Sequence, residues 1–467
     1  MQDNDKASLK AGAWYTISKF VVKGMAFLVT PIFTRLMTKG EYGDFSNLQF
    51  WLMILTYVAG FELYYSIMIA RHDYRDEIDP YISSIYVLSI IITAGVLVLG
   101  VLFKSQFAAL TGIETKYLPL VFLYLTGESA FMIMQTKHRA FYKYKLFTAF
   151  SIGSSFIATG LAVTLVALMP ESRVEARFIG TILPMCILGT AIGIVMLRKG
   201  NTVKLEHWKY ATNISAPLVV NVIALTLMSS ANRTIIKNFD SSESTALYSL
   251  ATSIMLIATL LYQSMNSAWA PWVQDCLHDK RERDVKTASR KFIIIYLFII
   301  IGVLIVGPEL ILIMGGKAYG ESAYILPPLM SGCLFQFMYS MFMNVELYNK
   351  KTGIAAIGAI CMSAINIILG IMLVPRYGYK IAAYISMFGY IVLSFIHYMI
   401  VRKMNISEIY DIKFFFATAI STVSIIVVMP VLYRHIILRF VSLIVLLAIV
   451  AEFAYKNWST IKLMIKK

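Results

Sequence analysis

The sequence predicts an all-α polytopic membrane protein with about fourteen transmembrane helices and both termini in the cytoplasm. Of its 467 residues, 58% are apolar and only 15% are charged, whereas soluble domains have about 45–50% apolar and about 25% charged residues. The mean hydropathy is +0.71. Because each membrane-spanning helix needs roughly 20 residues, the apolar residues suffice for on the order of 12 to 14 helices and leave little for soluble domains.

Apolar stretches separated by charge clusters give fourteen candidate spans. The first contains lysines and the seventh is rich in serine and asparagine, so both must face a cavity or other helices, since lipid leaves polar groups unpaired. The first ten residues are polar and lack a signal peptide's apolar region, so we expect the first helix to be retained. The spans cover approximately 12–34, 45–69, 82–103, 117–136, 146–169, 178–197, 213–236, 245–270, 292–314, 323–348, 354–374, 381–401, 412–433 and 437–455.

The net charge of +16, from 42 basic and 26 acidic residues, is interpreted as orientation charge. In a soluble protein such an excess would indicate nucleic acid, which we exclude as a partner here. With the N-terminus inside, 27 Lys and Arg fall at the cytoplasmic side and 13 at the outer side. This bias follows the positive-inside rule and predicts fourteen spans with both ends cytoplasmic.

The connections between spans exclude several classes of enzyme. The largest is a cytoplasmic run around 275–291, and the absence of a long outer loop weighs against a membrane glycosyltransferase or polymerase. Gly315-Gly316-Lys317 lacks the earlier Gly and the following Ser or Thr of a phosphate-binding loop. The four cysteines form neither a disulfide framework nor a metal-binding pattern. We therefore predict secondary transport, with a channel as the alternative, and neither catalytic residues nor a metal or organic cofactor.

The first span carries the clearest candidates for a binding site. Lys19 and Lys23 are four residues apart and so lie on one face of a helix. A charge near the bilayer centre costs about 2.5–3.5 kcal/mol on insertion scales, and two adjacent cations repel each other unless an anion or a carboxylate lies opposite. We therefore predict that both lysines bind substrate; the alternative is that one or both extend to the inner membrane surface.

Two acids in other spans are the matching partners. Glu62 lies in the second span and Glu128 in the fourth. One interpretation pairs them with the lysines as fixed ion pairs. The other assigns them to ion coupling, in which a buried carboxyl exchanges H⁺ or Na⁺ driven by the gradient. Glu346, near the inner end of the tenth span, is expected to lie at the membrane interface.

Two arginines occupy similar positions in the two halves of the chain. Arg35 and Arg233 lie near the outer ends of the first and seventh helices, and residues 41–46 after the former have a weak echo in 245–249 after the latter. Secondary transporters are often built from two repeats with the site between them. The repeat signal is weak, but it would place a site between the two halves of the chain.

Three motifs carry a resemblance to a known family. Residues 30–38, TPIFTRLMT, followed by Glu41-Tyr42-Gly43, resemble the first helix pair of bacterial oligosaccharide flippases of the polysaccharide transporter family. These proteins translocate lipid-linked O-antigen or capsule repeat units, and their superfamily includes the multidrug and toxic-compound exporters and the lipid II flippase. The other motifs are GGKAY with a Pro pair inside 307–329, and YNKKT with Asn366, Leu369, PRYGY at 375–379 and Ala382-Ala383.

The resemblance implies two six-helix bundles, 1–200 and 201–405, in a V around a central cationic cavity, with two additional helices in 406–467. It also implies alternating access that moves an undecaprenyl diphosphate-linked oligosaccharide between leaflets, with membrane lipids and with glycan polymerase and chain-length proteins as partners. A diphosphate is a compact anion that Lys and Arg bind well. With the cargo that the resemblance implies, we expect Lys19 and Lys23, with Arg35 and Arg233 nearer the outside, to bind the diphosphate or the charges of the glycan. For Arg35 the alternative is a structural role at the turn after the first helix. Family members often have an acid before the arginine that ends span seven, where this chain has Asn232, so ion coupling would then rest on Glu62 or Glu128, or be absent.

The rival functions differ in the charge or the loops they require. A multidrug exporter of small cations favours a negative cavity, which the two lysines oppose. Lipid II flipping needs the same cationic cavity, but the three motifs look more like the oligosaccharide branch. A glycan polymerase or ligase needs a catalytic outer loop, and a scaffold role would leave the buried lysines unexplained.

Overall fold

The computed structural model describes residues 20–141, 144–349, 352–404 and 409–456, and every regular element within these ranges is helical. Short 3₁₀ segments cover Leu63–Ser66, Thr115–Tyr117 and Lys317–Ile325. The α-helices are α1 (20–36), α2 (Lys39–Gly60), α3 (Ile67–Asp73), α4 (Ile78–Leu102), α5 (Lys104–Thr111), α6 (Leu118–Ala140), α7 (Tyr144–Leu168), α8 (Arg173–Gly200), α9 (Leu205–Ser230), α10 (Asn232–Phe239), α11 (Ser242–His278), α12 (Glu282–Ile305), α13 (Gly307–Gly315), α14 (Leu326–Tyr348), α15 (Thr352–Tyr377), α16 (Lys380–Arg402), α17 (Ile412–Arg434) and α18 (Ile436–Lys456).

The predicted all-helical, multi-pass architecture is confirmed. Twelve helices in the described ranges are long and apolar enough to cross a membrane, and α2 with α3 makes a thirteenth if the bent pair is one span. The predicted span at 12–34 corresponds to α1, but its first residues, including Lys19, lie outside the described ranges. The count of fourteen and the cytoplasmic position of both termini stay predictions.

The connection predicted around 275–291 is helical over most of its length, and its cytoplasmic position stays a prediction. Helix α11 runs on to His278 and α12 already begins at Glu282, so only three residues join them. The polar residues there continue the two helices, because the backbone hydrogen bonds of a helix do not depend on apolar side chains. Arg281 in the connection pairs with Asp279 and with Asp284, and all three side chains are exposed.

The chain divides into two compact units, Met1–Ala246 and Leu247–Lys467. The boundary falls within the first turns of α11, after the seventh predicted span rather than before it. The division predicted from the resemblance, at 200 and at 405, stays a prediction about bundles and is not decided by these units.

Close helix contact at two glycines organises the N-terminal unit. A Cβ on Gly189 of α8 would lie 2.3 Å from the Cα of Gly127 on α6, so neither position accepts a side chain. The two backbones therefore touch at this level, as small residues permit in membrane proteins. This contact fixes the part of α6 that carries Glu128.

In the C-terminal unit, α14 is the most enclosed helix. In its span, Lys317–Tyr348, 89% of the apolar window is buried, against 11% for Ile436–Phe453 of α18. Helix α14 packs closely against α16, and α18 presents much apolar surface outward. Polar groups on α14 must therefore find their partners inside the protein.

Candidate functional site

A cavity of about 400 Å³ lies inside the N-terminal unit, among α1, α6, α7 and α8. Its volume falls in the range of about 300–1,000 Å³ that is usual for small-molecule sites. One wall is hydroxyl-rich, with Ser151, Ser154 and Ser155 of α7. Gln135 of α6 donates to Ser151 Oγ over 2.9 Å. The wall thus offers several hydrogen-bonding groups to a polar ligand.

Two cations and one acid line this cavity. Lys23 comes from α1, whereas Glu128 and Arg139 come from α6. Even with Glu128 ionised, the three side chains leave the cavity with a positive charge. An ammonium and a guanidinium together offer a point charge and a planar fork of donors, the two ways in which proteins bind phosphate oxygens.

A second, smaller cavity of about 30 Å³ brings together the two predicted ion-coupling acids. It is lined by Glu62, Glu128 and Ser129, among others. Because Glu128 lines both cavities, it lies between the buried Glu62 and the cavity that contains Lys23. The sequence predicted these acids one by one, and the fold brings them to one place.

The Glu62 carboxylate is almost completely buried, with 2% of the residue exposed. Its Oε2 atom has no hydrogen-bond partner among the described residues, nor does the Oγ atom of Ser129 in the same cavity. A buried carboxylate oxygen without a partner is costly. A proton or a small cation would remove that cost.

Glu62 lies where the second span breaks. Phe61 and Glu62 have positive φ angles of 46° and 52°, which is uncommon for residues other than glycine. The axes of the helical segments on either side differ by 48°. Ser215 of α9 donates to the Glu62 carbonyl oxygen over 3.0 Å and so supports the strained backbone. Broken helices are typical of ion and substrate sites in secondary transporters, and strained backbone often lies at such sites.

The other predicted substrate-binding residues lie elsewhere. Arg35 is exposed near the end of α1, and its Nη1 donates to the Pro31 carbonyl oxygen over 3.1 Å. Neither Arg35 nor Arg233 lines the cavity with Lys23. The structure therefore brings Lys23, Glu128 and Glu62 together and leaves the two arginines apart, so their binding roles stay predictions, as does that of Lys19 outside the described ranges.

Arg233 lies in α10, next to a residue that contacts the beginning of α2. Thr234 Oγ1 donates to Asn47 Oδ1 over 2.6 Å, in a buried position. Ser242 Oγ donates to Asp44 Oδ1 over 2.6 Å, and Lys237 pairs with the same carboxylate over 2.9 Å. The beginning of α2 is thus fastened to α10 and to the beginning of α11.

Arg139 was missed because the sequence reasoning assigned it to orientation charge at a helix end. A signal was present, since Glu128, Gln135 and Arg139 are spaced by seven and four residues and therefore share one face of α6. Glu346 was placed at the interface, but its side chain is fully buried against His397 of α16. No local pattern in the sequence links these two residues.

The fold is similar to that of solved membrane transporters. It superposes on the lipid II flippase MurJ in an inward closed conformation with a TM-score of 0.74, at 15% identity over 95% of this chain and 99% of that one. It also superposes on an inward-facing multidrug resistance transporter of the MATE family, of the MOP superfamily, with a TM-score of 0.63, at 13% identity over 84% and 95% of the two chains. The chain thus has the fold of this transporter superfamily.

The family follows from sequence. The model of the family described as polysaccharide biosynthesis protein matches residues 8–276, which is more than half of the chain. The chain belongs to this family. A stretch of 173 residues is 24% identical to the capsular polysaccharide biosynthesis protein CapF of Staphylococcus aureus, covering 35% of this chain and 42% of that protein. The match therefore spans less than half the length of this curated relative.

These findings confirm the family resemblance that the motifs predicted. The first motif, 30–43, falls within the matched residues 8–276, whereas the motifs around 307–329 and 348–383 lie beyond them. The fold extends the likeness over the rest of the chain.

Proposed function

We propose that this protein is a flippase for an anionic lipid-linked oligosaccharide in the bacterial cytoplasmic membrane. Its cargo would be an undecaprenyl diphosphate-linked repeat unit of O-antigen or capsule. Alternating access would carry the glycan and its diphosphate from the inner to the outer leaflet while the lipid tail stays in the membrane. In this role the chain binds and moves its cargo without breaking a bond, and its partners would include the glycan polymerase and chain-length proteins that use the product.

The cavity that Lys23 and Arg139 share carries this proposal. Lys23 is half-buried within an apolar helix, where a charge is costly. Arg139 is exposed at the end of α6 and lines the same cavity. Two cations around one cavity favour an anionic ligand. The diphosphate carries the negative charge that they would meet. The serine wall and Gln135 would hydrogen-bond the sugar hydroxyls, which is the polarity that a glycan requires.

Ion coupling is proposed at Glu62 and Glu128. Glu128 lines both the cavity with Lys23 and the small cavity with Glu62. A proton or Na⁺ bound at the Glu62 carboxylate changes the charge beside Glu128, and Glu128 in turn changes the attraction that the cationic cavity exerts on an anion. The two ligands can therefore influence each other's binding over a short distance.

The charge of the cavity separates this proposal from two rivals. Export of small cations would place repelling charges, Lys23 and Arg139, beside the substrate. Lipid II shares the diphosphate and fits the same cations, but the family match favours a polysaccharide precursor. Fold similarity at 15% identity does not choose between these cargoes.

Deletion followed by mass spectrometry of lipid-linked intermediates tests the proposal and names the cargo. The deletion strain should accumulate an undecaprenyl diphosphate-linked oligosaccharide, and the gene supplied in trans should remove it. Accumulated lipid II would indicate the first rival. An unchanged set of lipid intermediates, with greater sensitivity to cationic drugs, would indicate the second.

A further inference from the structure

A buried acid–base pair lies in the C-terminal unit, on helices that do not line either cavity described above. Glu346 is on α14 and His397 is on α16. The Nδ1 atom of the imidazole lies 2.7 Å from Oε1 of the carboxyl group, and both side chains have an exposed fraction of 0%. The pair is therefore hydrogen-bonded and closed to water in this arrangement.

The elements packed around the pair supply little charge. On α14 the Tyr339 ring packs edge-on against the imidazole, with ring centroids 4.8 Å apart. On the described part of α15, Gly358 faces His397, since a Cβ there would lie 3.2 Å from Nε2. Along α16 the next charged residue is Arg402, five positions beyond His397. Among these described neighbours, the titratable group that faces the pair is the Tyr339 phenol.

The outer atoms of both groups have no described partner. Neither Nε2 of His397 nor Oε2 of Glu346 makes a hydrogen bond among the described residues. A structural ion pair in a membrane protein is normally completed by further hydrogen bonds, because buried polar atoms without partners are costly. The open positions on this pair are therefore unexplained by packing.

Electrostatics decides how many protons the pair holds. With a neutral imidazole and an ionised carboxylate, the pair carries one uncompensated negative charge in a closed, apolar place, which costs several kcal/mol. One additional proton makes the pair neutral, either as imidazolium with carboxylate or as imidazole with carboxylic acid. Because the two groups share this proton, it belongs to the pair and not to either residue.

We propose that Glu346 and His397 form a proton-binding site of the C-terminal unit. The pair takes one proton from water to become neutral, keeps it while α14 and α16 enclose the site, and returns it to water when the helices separate. The binding step breaks no covalent bond to carbon and needs no other reactant. Use of this proton to drive transport rests on the proposed flippase function, whereas the occupancy of the site does not.

The interface between α15 and α16 offers a path for the proton. Two contacts join α15 and α16: Gly358 faces His397, and Asn366 lies against Gly389. The contacts are eight residues apart on each helix, and the two helices run in opposite directions. Along this interface the Ser363 hydroxyl and the Asn366 amide are buried without hydrogen-bond partners among the described residues. Ordered water commonly satisfies buried polar atoms of this kind, and under the proposal such water would carry the proton when the helices separate.

Spectroscopy of the purified full chain tests the occupancy of the site without any cargo. Infrared spectra of the wild type and of Glu346→Gln are compared in the carboxylic acid region, and ¹⁵N-histidine spectra of the wild type are compared with those of His397→Gln. At neutral pH we expect either a protonated carboxyl band that Glu346→Gln removes or an imidazolium signal that His397→Gln removes. A neutral His397 imidazole together with an unchanged carboxyl region would overturn the proposal. If one variant fails to fold, the spectrum assigned with the other variant still shows whether its group carries the proton.

Export of surface glycan at several external pH values tests the use of that proton. We expect Glu346→Gln and His397→Gln to lose the pH dependence of export that the wild type has. His207→Gln is the matched control, since His207 is also fully buried but lies in the N-terminal unit among aromatic rings. It should keep the wild-type dependence. If the spectra show a bound proton but export keeps its pH dependence in both variants, the proton has a structural role and its use in transport is overturned. If the protein exports no glycan at all, the flippase proposal fails, and the spectra still decide whether the pair holds a proton.

Discussion

The guanidinium carbon of Arg177, on α8, lies 3.8 Å from the centroid of the Phe33 ring on α1. The same guanidinium lies 3.9 Å from the ring of Phe45 and 5.0 Å from that of Tyr42, both on α2. Phe33 and Tyr42 belong to the family motif at 30–43. One cation on α8 therefore holds together the two helices on which that motif lies, which gives the motif a structural role beside any contact with cargo.

Replacing Arg177 by Gln should lower the stability of the fold. A cation–π contact contributes about 0.5–1 kcal/mol at an exposed site and about 2 kcal/mol when desolvated. Because the half-buried Arg177 makes three such contacts, we expect a clear fall in the midpoint of thermal unfolding in detergent. Arg198→Gln is the matched control, since Arg198 is exposed in the last turn of the same helix and should leave the midpoint within experimental error. An equal fall of the unfolding midpoint in both variants would contradict a stabilising role of the contacts between Arg177 and the aromatic rings.

Replacing Gly43 by Ala should destabilise the junction between α2 and α11. The new Cβ would lie 1.8 Å from the carbonyl oxygen of Ser242, a backbone atom that cannot move without the helix. Such overpacking costs about 1–3 kcal/mol and should lower the yield of folded protein and its unfolding midpoint. Gly95→Ala, in α4 with open space around its Cβ, should instead stabilise the helix by about 0.5–1 kcal/mol. A harmless Gly43→Ala would show that the two helices are not so close.

Membrane topology is testable by cysteine labelling. Cys361 is exposed and the other three cysteines are buried, so Cys361→Ser provides the background. Lys280→Cys, between α11 and α12, should be unreactive toward an impermeant maleimide in intact cells and reactive after permeabilisation. Glu171→Cys, in the exposed connection between α7 and α8, should react in intact cells. The reverse pattern would invert the predicted orientation.

Composition and periodicity were enough to predict the architecture, because each span needs only a local run of apolar residues. The span at 245–270 and helix α11 agree in place, for example, although the helix extends beyond the predicted span to His278. The site was predicted only in part. Lys23, Glu62 and Glu128 were found because charge within an apolar run is a local signal.

Contacts between distant segments could not be predicted. His397 and Glu346 are separated by 51 positions, and Phe33 and Arg177 by still more, so no pattern in one helix reports on the other. Arg139 lies at the end of a span, where a basic residue is equally well explained by membrane orientation. Only the packing of α6 against α1, α7 and α8 shows that it reaches a cavity.

The two carboxyls near the break in the second span should carry any gradient dependence. In liposomes with an imposed H⁺ or Na⁺ gradient, Glu62→Gln and Glu128→Gln should each remove the dependence of cargo movement on that gradient, because an amide cannot exchange a proton and neutralises the cation site. Glu243→Gln, a change in the first turn of α11 away from both cavities, should retain it. An unchanged dependence in both cavity variants would reject ion coupling at this place.

The central claim is that a cationic cavity in the N-terminal unit binds the diphosphate of a lipid-linked glycan. The most direct test reconstitutes the purified protein with an undecaprenyl diphosphate-linked oligosaccharide and measures how fast the glycan becomes accessible in the opposite leaflet. We expect the wild type and the exposed-lysine variant Lys209→Ala to move the lipid at similar rates. We expect the rate of lipid movement to fall at least tenfold in Lys23→Ala and in Arg139→Ala, with the unfolding midpoint unchanged. The same fall is expected in Lys19→Ala, at the site residue predicted from the sequence. Wild-type rates in both Lys23→Ala and Arg139→Ala would contradict the assignment of this cavity to the cargo.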